Sequence, residues 1–211
     1  MTALPAPAPA PPSTAPVPVA PGLCIGGVLV AGSLPDLRAA GVTHVLNAAG
    51  AQVEDYFPDD FTYLRIDLDD TPEAATAMAG CFEASSNFID AALSSGGTVL
   101  VHCFEGRSRS ATLLLAFLMA RRGATLKDAL AAVRAAHPPA RPNPGFFAQL
   151  RELDVALHGR ASLRPVTRPA QPQAKVCPVC AKQVGISMSS LTAHLKRHHP
   201  EAWRERQAAK K

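Results

Sequence analysis

The sequence predicts an α/β domain, in which helices flank a central sheet, followed by a small metal-binding unit. Apolar segments of strand length alternate with helical patterns through the first three quarters of the chain. One buried strand leads through a short glycine-containing loop directly into a buried helix. Near the C-terminus, two cysteines and two histidines recur with the spacing of metal ligands.

The 211 residues allow one ordinary core and a small appendage, and the 47% of hydrophobic residues exclude a wholly disordered protein. Eight of the 20 prolines fall in the first 22 residues, which indicates a Pro/Ala-rich tail. The predicted organisation is a disordered tail (1–19), an α/β domain (20–159), a linker (160–175), a small unit containing the cysteines and histidines (176–200) and a basic tail (201–211).

The net charge of +4 is unevenly distributed along the chain. Residues 1–160 carry 11 basic and 15 acidic side chains, whereas residues 161–211 carry 10 and 2. The basic charge therefore belongs to the C-terminal unit and suggests an acidic partner there. Five cysteines are too few for a disulfide framework, and no apolar run reaches the roughly 18 residues of a membrane span. We expect a cytoplasmic or nuclear protein with no membrane partner.

Strand and helix patterns alternate within residues 20–159. Leu23-Cys24-Ile25 predicts an edge strand, Thr43–Asn47 a buried strand, and Tyr63–Leu68 a strand with a period of two. A short, uninterrupted β-branched run, Val99–Val101, predicts a central strand. Helices are predicted from Ser33 to Gly41, Ala74 to Leu93, Ala111 to Arg122, Thr125 to Ala136 and Asn143 to Leu157. Asn143 is expected to cap the last of these helices.

The segment from the central strand into the next helix carries the predicted chemistry. The strand ends at His102-Cys103, and Arg109-Ser110 opens the buried helix. A loop between a strand and a helix N-terminus directs its backbone N–H groups into one concavity, with the positive end of the helix dipole behind them. We therefore predict a phosphate site formed by Phe104, Glu105, Gly106, Arg107, Ser108 and Arg109.

Individual side chains in this segment have distinct expected roles. The N–H groups that favour phosphate also stabilise a thiolate, so Cys103 is the predicted nucleophile. The planar guanidinium of Arg109 can bind two phosphate oxygens at once. Ser110 is expected to hydrogen-bond to the sulfur and ease its departure, and His102 to be structural. Cys24 and Cys81 lack any such surroundings and are assigned to packing.

The segment VLVHCFEGRSRSA resembles the signature His-Cys-x5-Arg-Ser/Thr of the cysteine-dependent protein tyrosine phosphatase superfamily. The resemblance extends over residues 20–158 and is closest to the dual-specificity branch. It includes PGLCIGG, GVTHVLNAAG, the spacing of Tyr63, Ile66, Leu68 and Asp70, and PNPGFFAQL. About 140 residues is the compact size of an atypical member.

The resemblance implies a protein-tyrosine-phosphatase-like fold with a mixed sheet. It also implies a phosphoprotein phosphatase that hydrolyses phosphotyrosine and phosphoserine or phosphothreonine through a phosphocysteine, with no cofactor for catalysis. The family pattern aligns Asp70 with the general acid, for which Asp67 and Asp69 compete. The alternative is a phospho-binding or nucleic-acid-binding adaptor that keeps the phosphatase fold.

The C-terminal unit has the pattern Cys177-x2-Cys180, thirteen residues, then His194-x3-His198. Two thiolates and two imidazoles at this spacing are typical of a structural, tetrahedral zinc site, and the unit resembles a Cys2His2 or BED-type finger. His199 is an alternative fourth ligand. Val184 and Leu191 are the predicted core under the metal. The basic finger is a candidate surface for a nucleic acid or protein partner.

Overall fold

The computed structural model describes residues 13–50, 52–163, 176–182 and 188–208. Contacts divide the chain into two units, residues 1–164 and residues 165–211, and each is described by itself. Among the helices of these described segments, none combines the length and the apolar character needed to cross a membrane.

The first unit is built on a five-stranded mixed sheet with the order β1-β2-β5-β3-β4. The pair β1 and β2 is antiparallel and the other pairs are parallel, so the predicted mixed α/β sheet is confirmed. His102 at the end of β5 pairs with both Gly26 and Asn47, which brings the carboxyl ends of three parallel strands to one edge. Ligands of α/β sheets bind at this edge. The strands are β1 (Val17–Ala20), β2 (Leu23–Gly26), β3 (His44–Asn47), β4 (Thr62–Arg65) and β5 (Val99–His102).

Seven helices surround the sheet in the described part of the first unit. They are α1 (Val28–Ala31), α2 (Leu34–Ala39), α3 (Ala75–Gly80), α4 (Phe82–Ser94), α5 (Arg109–Arg122), α6 (Leu126–Ala136) and α7 (Pro144–His158), with a 3-10 turn at Pro72–Ala74. Their ends follow local chemistry: the side chain of Thr125 caps α6, Asn143 caps α7, and Gly123 ends α5 in the left-handed conformation with φ 66°.

The two faces of the sheet bury different residues because neighbouring side chains of a strand point to opposite faces. Val99 and Val101 of β5 pack with α4, α5, α6 and α7 in the larger core, whereas Leu100 packs with α1 and α2 in the smaller one. Helix α5 lies within the larger core and is buried on nearly all sides, as its apolar sequence predicts.

Three predicted elements differ from the structure. The edge strand is β1, which lies in the segment predicted as tail up to residue 19, and Leu23–Gly26 is the second strand. Strand β4 ends at Arg65, although Ile66 and Leu68 beyond it are buried. The predicted helix from Ala74 to Leu93 is divided at Cys81, where α3 ends and α4 begins.

The second unit contains helices α8 (Met188–His198) and α9 (Pro200–Ala208). Helix α9 occupies most of the segment that the sequence analysis described only as a basic tail. Its start follows from Pro200, which needs no N–H partner in the first turn of a helix.

Candidate functional site

The predicted catalytic residues meet where β5 ends and α5 begins. Cys103 follows β5 directly and is 1% exposed, and Arg109 opens α5 and is 3% exposed. The sulfur of Cys103 lies 3.2 Å from Oγ of Ser110, within hydrogen-bond distance. The structure therefore places the thiol and its predicted hydroxyl partner together in the interior.

The loop between them, residues 103–109, is held by hydrogen bonds to its carbonyl oxygens. The oxygen of Phe104 accepts from the N–H of Val28 at 3.0 Å, and that of Ser108 accepts from the N–H and the hydroxyl of Thr112, both at 2.8 Å. The C=O and N–H of a planar trans peptide point in opposite directions. Anchored carbonyls on the outside therefore direct the next N–H groups toward the inside of the loop.

Two other carbonyls of the loop are anchored by the connection between α6 and α7. The oxygen of Gly106 contacts Nε2 of His137 at 2.8 Å, and the oxygen of Arg107 accepts from the N–H of Arg141 at 2.7 Å. Within the described segments, the N–H groups of residues 105–108 donate to no protein acceptor. These N–H groups are thus available to a bound anion, as the sequence predicts for this loop.

Glycines let this loop approach its neighbours closely. Gly106 has φ +72°, and a Cβ added there would lie 2.6 Å from the carbonyl oxygen of Gly26. A Cβ on Gly27 would lie 3.0 Å from the carbonyl oxygen of Phe104. Gly26, the last residue of β2, and Gly27 therefore let the loop pack directly against this strand end, a role that was not predicted from the sequence.

The guanidinium of Arg109 is fixed by two acceptors. Nη1 donates to the carbonyl of Leu68 and Nη2 to Oε1 of Gln52, each at 2.9 Å. Nε is buried, has no hydrogen-bond partner within the described segments, and lies 3.8 Å from Oδ2 of Asp70. The plane of the guanidinium is thus set by the protein, and a donor remains for an anion.

Gln52 was missed in the sequence analysis because no motif marks it. Its loop is organised by Asn47, which is fully buried at the end of β3. The amide of Asn47 donates to the carbonyl of Val53 and to Asp55, both at 2.9 Å, and its oxygen accepts from the N–H of Ala49. A buried asparagine at the end of a central strand was the available signal for an ordered loop here.

Of the three candidate aspartates, Asp70 is the one that contacts the loop. Its Oδ1 accepts hydrogen bonds from Oγ of Ser108 at 2.6 Å and from Nδ2 of Asn143 at 2.9 Å. Asp67 instead pairs with Arg65 at 3.1 Å and is exposed, as is Asp69. Asn143, expected only to cap α7, does so through Oδ1 and also holds this carboxylate.

A cavity of about 430 Å³ opens at the loop. Phe104 is 50% exposed at this cavity, and Arg107 pairs there with Glu105 at 3.2 Å. Cys103 is buried and does not line the cavity. The lining residues are Gln52, Asp70, Phe104, Glu105, Arg107, Ser108, Arg109, Arg141 and Asn143.

His102, directly before Cys103, is 1% exposed. Burial lowers its pKa to about 4, partly opposed by a hydrogen bond with the backbone of Cys103, and the nearby Arg109 lowers it further. His102 is therefore neutral at pH 7. It serves as a packed side chain beneath the loop rather than as a charged group.

In the second unit, four side chains gather as a possible metal site. One ligand atom each from Cys177, Cys180, His194 and His199 lies within 4.8 Å of all the others. The structure thus brings His199, not the predicted His198, to the cysteines. His198 is exposed. The N–H of His199 donates a hydrogen bond to the carbonyl oxygen of Leu195 at the end of α8. The Nε2 atom of His199 is buried.

The surroundings of this cluster fit a metal ion. Nε2 of His199 is buried with no hydrogen-bond partner within the described segments, which a coordinated metal would satisfy. Burial lowers the pKa of His194, and the neighbouring His198, His199 and Lys182 lower it further, which favours the neutral, metal-binding imidazole. The N–H of Ala181 donates a hydrogen bond to the carbonyl oxygen of Cys177. This hydrogen bond closes a turn that brings the thiols of Cys177 and Cys180 together.

The small core beneath the cluster contains Cys177, Cys180, Leu195 and Trp203. Lys196 lies 5.3 Å from the ring centre of Trp203. The sequence analysis placed Val184 and Leu191 in this core, but Val184 and the side chain of Leu191 lie outside the described residues. Trp203 was missed because α9 was not predicted as a helix.

Known proteins share this domain. A family model described as "Dual specificity phosphatase, catalytic domain" matches residues 27–155. The chain is 42% identical to the dual specificity protein phosphatase PHS1 of Arabidopsis thaliana over 84% of its own length but 19% of that protein. It is also 42% identical to dual specificity protein phosphatase 1B of the same species, over 66% of this chain and 82% of that one. The crystal structure of human DUSP28 has a TM-score of 0.64 at 38% identity, over 71% of this chain and 97% of that chain.

Proposed function

This chain belongs to the dual-specificity phosphatase family, and from that premise we propose that it hydrolyses phosphotyrosine and phosphoserine or phosphothreonine in phosphoproteins through a phosphocysteine intermediate. One observation carries the assignment to this site: within the described segments the N–H groups of residues 105–108 have no protein acceptor, while four carbonyls of the loop, those of Phe104, Gly106, Arg107 and Ser108, are anchored by hydrogen bonds. Such a cradle binds a dianion next to the thiol of Cys103.

In the first step, the thiolate of Cys103 attacks phosphorus, and the S–P bond forms as the ester P–O bond breaks. The electron pair of that bond goes to the leaving oxygen, which takes a proton from the carboxyl group of Asp70. The contacts of Asp70 with Ser108 and Asn143 support this role, because they hold its carboxyl group at the cavity. Neither Asp67 nor Asp69 has such contacts.

In the second step, Asp70 takes a proton from water as the water oxygen attacks phosphorus. The S–P bond breaks and its electron pair returns to sulfur, which the hydroxyl of Ser110 stabilises from 3.2 Å. Arg109 binds the equatorial phosphate oxygens in both steps through the donors that Leu68 and Gln52 leave free. The guanidinium does not have to reorganise, because its plane is already fixed.

Hydrolysis of a small aryl phosphate in the presence of EDTA tests this proposal. We expect turnover by the wild type and a loss of about 10³-fold or more in Cys103→Ser, since the oxygen is a far weaker nucleophile in this site. Cys81→Ser is the matched control, because Cys81 is half-buried elsewhere and should be dispensable. Equal rates for the wild type and Cys103→Ser would overturn the assignment and favour a binding module.

We also propose that the second unit is a zinc finger in which Cys177, Cys180, His194 and His199 hold a structural Zn²⁺. Two thiolates and two imidazoles are a usual ligand set for tetrahedral zinc, and four protein ligands leave no position for a catalytic water. The unpartnered Nε2 of His199 supports this choice of fourth ligand.

Metal content distinguishes the two adjacent histidines. Wild-type protein should contain about one zinc per chain, and His199→Ala should lose it, as should Cys177→Ser. His198→Ala is the matched control and should keep its zinc, because His198 is exposed. Zinc loss in His198→Ala with retention in His199→Ala would instead support the ligand set predicted from the sequence.

We further propose an acidic protein partner for the second unit. Its exposed side chains include Lys196 and Arg197 of α8 and Arg204 of α9. A single finger contacts only about three base pairs, which is too few for a specific nucleic-acid site on its own. Salt-dependent binding of a polyglutamate peptide, with none to a DNA duplex of equal charge, would support this. The reverse result would favour nucleic acid.

A further inference from the structure

The connection between α6 and α7, residues 137–143, contacts three consecutive residues of the 103–109 loop. Nε2 of His137 lies 2.8 Å from the oxygen of Gly106, the N–H of Arg141 donates to Arg107, and the N–H of Asn143 contacts Oγ of Ser108 at 3.1 Å. Two of these donors are backbone groups of the connection. His137 supplies the remaining donor from a side chain.

The carbonyl that His137 contacts belongs to Gly106, the one glycine of the 103–109 loop. Because Gly106 lacks a Cβ, its ψ is less restricted than that of the other loop residues, and the peptide between Gly106 and Arg107 can rotate more easily. If that peptide rotated, its carbonyl dipole would replace the N–H of Arg107 at the anion site and repel phosphate. A donor outside the loop is therefore needed to select one orientation.

His137 itself is firmly positioned to be that donor. Its N–H bonds to the carbonyl of Val133 at 2.7 Å, and its carbonyl accepts from the N–H of Ala140 at 3.0 Å. Its ring is half-buried, and Nε2 must carry the proton when the acceptor is a carbonyl oxygen. The backbone hydrogen bonds fix the position of Cα, and the half-buried ring reaches the loop through its contact with the oxygen of Gly106.

We propose that His137 is a positioning residue for the phosphate site: its Nε2–H holds the carbonyl of Gly106 outward and so keeps the N–H of Arg107 directed at the bound phosphoryl group. This rests on the proposed function of the loop as a phosphate cradle. His137 takes no part in proton transfer to substrate, and its contribution is to keep the N–H of Arg107 directed at the anion in both chemical steps.

Tungstate binding by calorimetry, which needs no turnover, tests this proposal on the full chain. His137→Ala should bind tungstate about tenfold more weakly than the wild type, since a hydrogen bond to a charged group is weakened. His137→Gln keeps an N–H donor at a similar reach and should recover most of the affinity. In the aryl phosphate assay, His137→Ala should raise KM and lower kcat, because the same N–H binds the transition state.

A second variant distinguishes two effects of replacing His137: a change in the orientation of the peptide between Gly106 and Arg107, and a general loosening of residues 137–143. Arg134 donates through Nε to the carbonyl of Ala140 at 3.0 Å but contacts no residue of the loop. Arg134→Ala should therefore leave tungstate affinity unchanged. Equal weakening in Arg134→Ala and His137→Ala, or wild-type affinity in His137→Ala, would overturn the role of His137 while leaving the phosphatase assignment intact. Failure of the wild type to bind tungstate would overturn both.

Discussion

The two sites of this chain are held together in different ways. The 103–109 loop lies at the carboxyl edge of a five-stranded sheet, against a large apolar core, and its shape is set by hydrogen bonds to its own carbonyls. The cluster of the second unit has four ligand side chains over a core of Cys177, Cys180, Leu195 and Trp203. The first site is preorganised by its fold, whereas the second, as the proposed zinc finger, would depend on its metal because its apolar core is small.

This contrast has a functional consequence. Backbone N–H groups are always present and cannot be titrated at neutral pH, so an anion site built from them needs only the fold to be intact. Cysteine and histidine ligands, in contrast, must be deprotonated and must find a metal before their unit is stable. We therefore expect that conditions which unfold the second unit leave the anion site of the first unit intact.

Metal removal should give the largest difference between the units. Structural zinc contributes on the order of 10 kcal/mol to the folding of a small finger, so a strong chelator should unfold α8 and α9. The first unit should keep its aryl phosphatase activity, because none of its groups depends on the metal. Amide hydrogen exchange followed by mass spectrometry measures both units in one sample. If the amides of α5 lost their protection from hydrogen exchange after chelation, the stability of the first unit would depend on the metal of the second, which would contradict the prediction.

Replacement of the proposed general acid, Asp70, should affect catalysis without affecting folding. Asp70→Asn should lower kcat for alkyl phosphates by about 10² to 10⁴-fold, because these leaving groups need a proton. The loss should be much smaller for nitrophenyl phosphate, whose leaving group is stable as an anion. Steady-state kinetics over a series of leaving groups measures this.

Asp69→Asn is the matched control for that experiment, since Asp69 is adjacent and exposed. It should retain wild-type rates with every leaving group. A leaving-group dependence in Asp69→Asn, together with none in Asp70→Asn, would transfer the role to Asp69.

Acid should destabilise the first unit because His102 is buried as the neutral form and takes up a proton more readily when the chain unfolds. The pKa of His102 is about 4 in the folded protein and 6.5 when exposed. As the pH falls, His102 is therefore protonated in the unfolded chain before it is protonated in the folded protein. The free energy of unfolding consequently rises with pH across this window. The free energy of unfolding should fall by about 2 kcal/mol between pH 7.5 and pH 5, and by about 3 kcal/mol near pH 4. Urea denaturation at each pH measures this.

The matched variant is His102→Asn, which has no group that titrates in this range. Its free energy of unfolding should be lower than that of the wild type at pH 7.5 but should change less between pH 7.5 and pH 5. An identical pH dependence in both proteins would exclude His102 as the cause.

The smallest expected effect concerns the hydrogen bond by which Gln52 holds the guanidinium of Arg109. Gln52→Ala removes the acceptor of Nη2 and leaves the contact of Nη1 with Leu68. KM for aryl phosphate should rise by about five- to tenfold, since one hydrogen bond to a charged group is lost. Gln52→Glu keeps an acceptor oxygen but adds a negative charge, so it should weaken phosphate binding further. A KM unchanged in Gln52→Ala would show that Leu68 alone fixes the guanidinium.

The sequence was most informative where function depends on neighbours along the chain. Cys103, Arg109 and Ser110 lie within eight residues at a strand-to-helix turn, and their relative placement follows from that local geometry. The Cys/His cluster of the second unit was predicted for the same reason, from two short spacings, with His198 in the position that the structure gives to His199. The choice between His198 and His199 was left open, because it depends on where α8 ends.

Contacts between distant segments could not be predicted in this way. Nothing local marks Gln52 as the partner of Arg109, or His137 as the partner of Gly106, because each pair is joined only by packing of separate elements. Asn143 was assigned to capping, which is its local role, while its contact with Asp70 spans 73 residues.

The sequence by itself determined the fold class and the family and predicted the reacting groups, because strand and helix periodicity and the signature loop are local properties. Only the tertiary structure decided which peptide carbonyls are anchored, what holds the guanidinium and which histidine joins the cysteines. The reason is physical: side-chain and peptide orientation depends on hydrogen-bond partners that folding brings from remote parts of the chain.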